Sequence, residues 1–171
     1  MHVPQCTREF GLPDEAATQD LGARLASCLT PGLVLYLEGD LGAGKTTLVR
    51  ALLRALGHTG PVKSPTYALV EVYVISSLYL YHFDFYRFGS PEEFLDAGLG
   101  EYFRNDSVCL VEWPEKAAGY VPPADLRVAL THDAPGRRCR IVALSEEGLS
   151  CLTRLYAAWD AAASCISLAR P

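Results

Sequence analysis

Gly39-Asp40-Leu41-Gly42-Ala43-Gly44-Lys45-Thr46 fits the pattern G-x-x-x-x-G-K-[ST] at every fixed position. Each residue type has a task in gripping a triphosphate. Gly42 and Gly44 allow backbone angles that turn successive N–H groups inward, and with Leu41, Ala43 and the helix that follows these build a nest for phosphate oxygens. Lys45 is placed to reach the β- and γ-phosphates, the Thr46 hydroxyl to ligate Mg²⁺, and Thr47 to donate a further hydrogen bond to the α-phosphate.

A phosphate loop alone binds; hydrolysis also needs Mg²⁺ held on its far side and a positioned water. Two acids stand at the ends of apolar runs: Asp84 after Leu78-Tyr79-Leu80-Tyr81-His82-Phe83, and Glu112 after Val108-Cys109-Leu110-Val111. Either suits the metal, directly or through its water shell, while the other orients the attacking water; the spacing leaves the assignment open. Lys45, Asp84 and Glu112 are therefore the candidate catalytic residues, and Thr46, Asp84 and Glu112 the candidate metal ligands. Thr66, in Ser64-Pro65-Thr66, reads as turn chemistry or as a switch threonine that meets Mg²⁺. His82 alternates with apolar neighbours and reads as a packing histidine. Arg87 is placed to reach phosphate or to pair with Glu92 or Glu93. Arg137-Arg138-Cys139-Arg140 reads as a solvated hairpin turn, with contact to nucleotide, RNA or an acidic partner as the functional alternatives.

These residues need a frame. Asp14 to Leu29 has helical apolar spacing and acidic residues in its first turn, and Pro31-Gly32 ends it. Leu33–Leu37 is a buried-strand run that leads into the loop, and Lys45 to Leu56 is the helix that follows, stopped by Gly57. Strand, glycine loop and helix thus come in the order the motif requires. Residues 1–12 form an opening strand or loop, and 61–66 a loop. Residues 68–74 and 78–86 read as a β-hairpin, many of whose tyrosines suit packing or an interface. Ser90-Pro91-Glu92-Glu93 starts a capped helix that ends near Gly98 or Gly100. Residues 126–130 and 138–144 form a second hairpin around Asp133–Arg138, and Leu149 to Ala163 an amphipathic helix that extends toward residue 168. The fold expected is one α/β domain over residues 1–171, a P-loop NTPase-like three-layer fold. Its two hairpins make the sheet mixed parallel and antiparallel.

The 171 residues carry 15 basic and 20 acidic side chains, a net charge of −5, which argues against bulk attraction to nucleic acid or to an anionic membrane. No apolar run approaches the roughly 18 residues of a spanning helix, and Met1–Gln5 lacks the basic flank of a secretory signal. None of the six cysteines forms a CxxC pair or a zinc-like set with histidines. They read as buried thiols of a reducing cytoplasm, a regulatory disulfide being the alternative. No guanine-reading NKxD is present, which disfavours a GTPase. A small-molecule kinase would need an arginine-rich lid, for which Arg137, Arg138 and Arg140 offer themselves; a nucleotide-dependent binding module without turnover is the other alternative.

Taken in order, Gly39–Thr47, Val62-Lys63-Ser64-Pro65-Thr66-Tyr67, His82-Phe83-Asp84-Phe85-Tyr86-Arg87 and Val111-Glu112-Trp113-Pro114-Glu115 resemble the TsaE (YjeE) family, from about Leu12 to Leu144. The resemblance implies a weak P-loop ATPase of the bacterial cytoplasm, with ATP as substrate and Mg²⁺ as cofactor. It would act with TsaB and TsaD, which install threonylcarbamoyl on adenosine 37 of tRNA; contact with tRNA itself is expected to be indirect, with no DNA or membrane partner. By the same resemblance Thr46, Asp84 and Glu112 match the magnesium-site and hydrolysis residues and Thr66 the switch threonine. Glu15, in Leu12-Pro13-Asp14-Glu15, would lie beside the nucleotide, and Trp113 near the site, for partner contact or packing. Phe85 stands where the family commonly has Leu, and the tail after Leu144, with Cys151, Trp159 and Cys165, matches no motif.

Overall fold

The computed structural model describes residues 5–168, with side chains to residue 163, so Met1–Pro4 of the N-terminal stretch and the Cys165 side chain lie outside the described residues. The strands are β1 (Cys6–Leu12), β2 (Val34–Glu38), β3 (Val70–Ile75), β4 (Leu78–Asp84), β5 (Ser107–Glu112), β6 (Leu126–Asp133) and β7 (Gly136–Ala143); the helices are α1 (Glu15–Cys28), α2 (Lys45–Ala55), α3 (Glu93–Asp96) and α4 (Glu146–Leu168).

All seven strands form one sheet in the order β1-β7-β6-β2-β5-β4-β3. The four inner strands β6, β2, β5 and β4 run parallel, and the two hairpins add the antiparallel edges. The sheet is therefore mixed, as its two hairpins require. The parallel centre has a consequence for chemistry: β2, β4 and β5 all end on the same side, so the loop after Glu38 and the acids Asp84 and Glu112 come to one edge. Asp84 and Glu112 are direct register partners across β4 and β5.

One face of the sheet carries α1, α2 and α4. Their core, with Leu21, Leu25, Leu48, Leu52 and Leu155, packs on Leu35, Leu37, Leu80, Leu110, Leu126 and Ile141. The opposite face is covered more thinly, over β2, β5 and β4. Phe83, Phe85, Phe94, Leu99 and Val111 pack there beneath short turns, with Phe85 stacked on Phe88 at 4.8 Å between ring centroids. The predicted helix from Ser90 to Gly98 is reduced to one turn, Glu93–Asp96, followed by a 3₁₀ turn at Leu99–Tyr102. Glu93 does reach back, accepting from Ser90 N at 3.0 Å, but the N-cap falls on Glu92 with no side-chain cap bond, and Gly98 at φ 66° breaks the run. The C-terminal helix begins earlier than its apolar pattern, at Glu146, because the Ser145 hydroxyl accepts from Gly148 N at 2.9 Å. It packs on the sheet: Cys151, Leu152 and Leu155 are buried, and Trp159 meets Phe10 edge-on at 5.4 Å.

The described cysteines, Cys6, Cys28, Cys109, Cys139 and Cys151, are free thiols, and all but Cys6 are buried. Among the described residues no helix is long and apolar enough to cross a membrane.

Candidate active site

The phosphate loop is the connection from β2 to α2. Gly42 (φ 78°) and Gly44 (φ 109°) sit in the left-handed region that favours glycine, and Gly44 is the N-cap of α2. The first-turn N–H groups of a helix have no intrahelical acceptor, so the loop leads straight to a set of donors at Lys45, Thr46 and Thr47. Lys45 is only 6% exposed, yet its ammonium is satisfied. It donates to the carbonyls of Gly39 and, at 3.0 Å, of Asp40, and lies 5.2 Å from the centroid of the Trp113 ring. The cation is thus held across the mouth of its own loop.

Asp84 is buried and enclosed by donors. Its Oδ2 accepts from Ser64 Oγ at 3.0 Å and Thr66 Oγ1 at 3.3 Å, and its Oδ1 from Tyr86 N at 2.9 Å. The turn itself starts at Thr66, closed by Leu69 N donating to Pro65 O at 2.9 Å, and Ser64-Pro65-Thr66 leads into it with both hydroxyls on the carboxylate. Phe85 is fully buried in the aromatic cluster, where it leaves the Asp84 carboxylate on the opposite face of the chain.

Glu112 is buried as well, and its Oε1 lies 2.8 Å from His82 Nε2. His82 is therefore not a satisfied packing histidine: it faces the second acid, and its Nδ1 is buried with no partner. The sequence missed the pair because its members stand 30 positions apart, on neighbouring strands; once the β4–β5 register is known, His82 and Glu112 fall on one face. Trp113, next to Glu112, holds φ 57°, a costly angle for an aromatic residue, where β5 turns into the 3₁₀ segment Pro114–Ala117.

One cleft brings Lys45, Thr46, Thr66, Asp84, Glu112 and Trp113 together, rimmed by Leu41 and Tyr86. A smaller adjoining cleft is lined by Asp14, Glu15, Thr18, Gly44, Thr47 and Arg137, so the structure sets Glu15 beside the phosphate loop. The Glu15 carboxylate accepts from Gln19 Nε2 at 3.3 Å, and Asp14 caps α1 by accepting from Ala17 N at 2.8 Å.

The arginine cluster does not act as a unit. Arg137 reaches the phosphate loop, donating from Nε to Ala43 O at 3.0 Å and from Nη2 to Gly42 O at 3.3 Å. Arg138 pairs with Asp133 at 2.9 Å and Glu9 at 3.3 Å, and Arg140 is exposed on the face of β7 away from the helices. Alternation along one strand puts Arg137 on one face of β7 and Arg138 and Arg140 on the other. Arg87 does not pair with Glu92 or Glu93; its guanidinium stacks 4.1 Å over the exposed Tyr67 ring.

Against known proteins, residues 12–140 match the model of the family TsaE, described as threonylcarbamoyl adenosine biosynthesis protein TsaE. A relative from Haemophilus influenzae, named tRNA threonylcarbamoyladenosine biosynthesis protein TsaE, is 44% identical over 142 residues, 80% of this chain and 90% of that protein. One of the same name from Bacillus subtilis is 42% identical over 118 residues, 69% of this chain and 72% of its own. Among solved structures, the crystal structure of Bacillus subtilis YdiB superposes with a TM-score of 0.73 at 30% identity, covering 90% of this chain and 95% of that one.

Proposed function

The chain belongs to the TsaE family, and from that premise we propose that it is a Mg²⁺-dependent ATPase of the bacterial cytoplasm. It supports threonylcarbamoyladenosine formation at position 37 of tRNA, together with TsaB and TsaD. The observation that carries the enzymatic part is the meeting of the phosphate loop with two buried strand-end carboxylates in one cleft.

In this reading the inward N–H groups of Leu41–Thr47 and the Lys45 ammonium bind the phosphates. Glu15 and Arg137, beside the loop, border the part of the nucleotide beyond the α-phosphate. The donor set fits magnesium. The Thr46 hydroxyl, Asp84 and Glu112 offer hard oxygens, and no group of three or more acidic, His or Cys side chains forms a closed cage among the described residues. Mg²⁺ is commonly held by one or two such protein oxygens together with phosphate and water. When bound, the ion would neutralise charge that develops on the phosphate oxygens. Asp84, fixed by three donors, and Glu112, fixed by His82, would keep the metal and the attacking water in register. Thr66, on the Asp84 carboxylate, would sense the γ-phosphate.

Phosphate release from ATP tests this. The wild-type protein releases phosphate in Mg²⁺ and not in EDTA. Asp84→Asn and Glu112→Gln retain ATP binding and lose turnover by about 10²–10³-fold. Hydrolysis at the wild-type rate by both variants would end the two-carboxylate account. The kinase alternative required Arg137, Arg138 and Arg140 as a lid, and only Arg137 turns to the phosphate loop, with Arg138 and Arg140 on the other face of β7, which gives it no support.

A further inference from the structure

We propose that His82 is a positioning residue for Glu112, fixing which carboxylate oxygen faces the phosphate cleft. The inference rests on the role given to Glu112 above. His82 is fully buried, and its Nε2 lies 2.8 Å from Glu112 Oε1. The other ring nitrogen, Nδ1, is buried without a partner, the one such side-chain atom among the described residues. That asymmetry selects the tautomer. An N–H at Nδ1 would be an orphaned buried donor, whereas a bare Nδ1 leaves only a lone pair unsatisfied. The proton therefore sits on Nε2 and is donated to Glu112.

The consequence falls on the carboxylate. Oε1 is engaged below the cleft floor, which leaves Oε2 as the oxygen for metal or water in the cleft that Glu112 lines. A glutamate side chain has three rotatable bonds, so a donor beneath it removes most of its alternatives. Asp84 needs no such help, because Ser64, Thr66 and Tyr86 already surround it. The pair also has a stability argument against a merely structural role. A buried polar pair is often replaceable by apolar side chains of similar volume without loss of stability, and the surroundings here, Leu80 and Leu110 on the same face, are apolar. An outer partner that orients a ligand typically matters by 10–100-fold in activity or metal affinity.

The test compares His82→Leu, His82→Gln and Glu112→Gln. His82→Leu lowers kcat by about 10–100-fold, with KM for ATP little changed because the phosphate loop is untouched. His82→Gln, whose amide N–H reaches the Nε2 position, recovers a large part of that loss. Adding His82→Leu to Glu112→Gln costs little more, since both disturb one unit. Independently of activity, ¹⁵N NMR of histidine-labelled protein places the His82 ring proton on Nε2. That resonance moves in Glu112→Gln. Wild-type kcat in folded His82→Leu, or a ring protonated at Nδ1, overturns the proposal. If His82→Leu does not fold, the Gln variant and the NMR signature still decide it. Wild-type turnover in Glu112→Gln instead defeats the underlying reading of Glu112, whatever His82 does.

Discussion

The Lys45 ammonium is held by two backbone carbonyls and the face of Trp113, although its side chain is almost wholly buried. A phosphate would meet a cation that is already oriented. Lys45→Ala should weaken ATP binding by roughly 100-fold or more, at about 1.5–3 kcal/mol for each charged hydrogen bond removed; calorimetry with Mg-ATP measures it, and unchanged affinity would count against the loop assignment. The cysteines give a prediction of a different kind. Burial pushes the thiols of Cys109, Cys139 and Cys151 up to about 12. A raised thiol pKa keeps the group protonated at pH 8, and the thiol form is the unreactive one. These three should resist alkylation in the native protein and react after denaturation, as mass spectrometry of labelled peptides would read; rapid labelling of the native protein would contradict their burial. Much of the residue scale was legible in the chain. Gly39–Thr46 is contiguous, and Asp84 and Glu112 each end a visible apolar run. The partner of His82 and the reach of Arg137 to Ala43 were not legible, because strand register and a hairpin turn decide them.

Between elements, α1 and α2 approach closely. A Cβ at Gly22 would stand 2.6 Å from Leu48 O and 2.9 Å from Ala51 Cβ. The α2 backbone therefore lies directly on α1, and α2 carries Lys45, Thr46 and Thr47 at its start. Gly22→Ala should force the helices apart and destabilise by about 1–3 kcal/mol, lowering Tm by roughly 2–10 °C. A thermal melt at or above the wild-type midpoint would show that the contact relaxes freely. The helices α1 and α2 and both hairpins could be read from periodicity and turn residues. The segment after Ser90 could not: only the Glu93 half of its capping box forms, Phe94 and Leu99 are drawn onto the sheet by the aromatic cluster, and Gly98 divides the run. Tertiary packing outweighed local propensity there.

Over the whole molecule, the parallel centre gathers the chemistry at one edge while α4 closes the far flank. Helix α4 lies beyond the segment that matches the family model, and none of its described residues lines the phosphate cleft. Its anchors are Trp159 on Phe10 and Arg154, which donates to Cys28 O at 2.9 Å. Trp159→Ala should lower the melting midpoint, at a cost of about 3 kcal/mol or less for a half-buried ring, and leave ATP affinity unchanged; a matched loss of affinity would tie α4 to the site. The mixed sheet was readable from the two hairpins, but the strand order was not, since it depends on which β-strand each crossover reaches.

The central claim is that the cleft hydrolyses ATP in the service of tRNA modification. Phosphate release from Mg-ATP, measured with this protein alone and again with TsaB and TsaD, tests it most directly. The account predicts slow release alone, a clear rise with the two partners, and loss of both in Glu112→Gln. No release under either condition, or release that Glu112→Gln leaves intact, would contradict it.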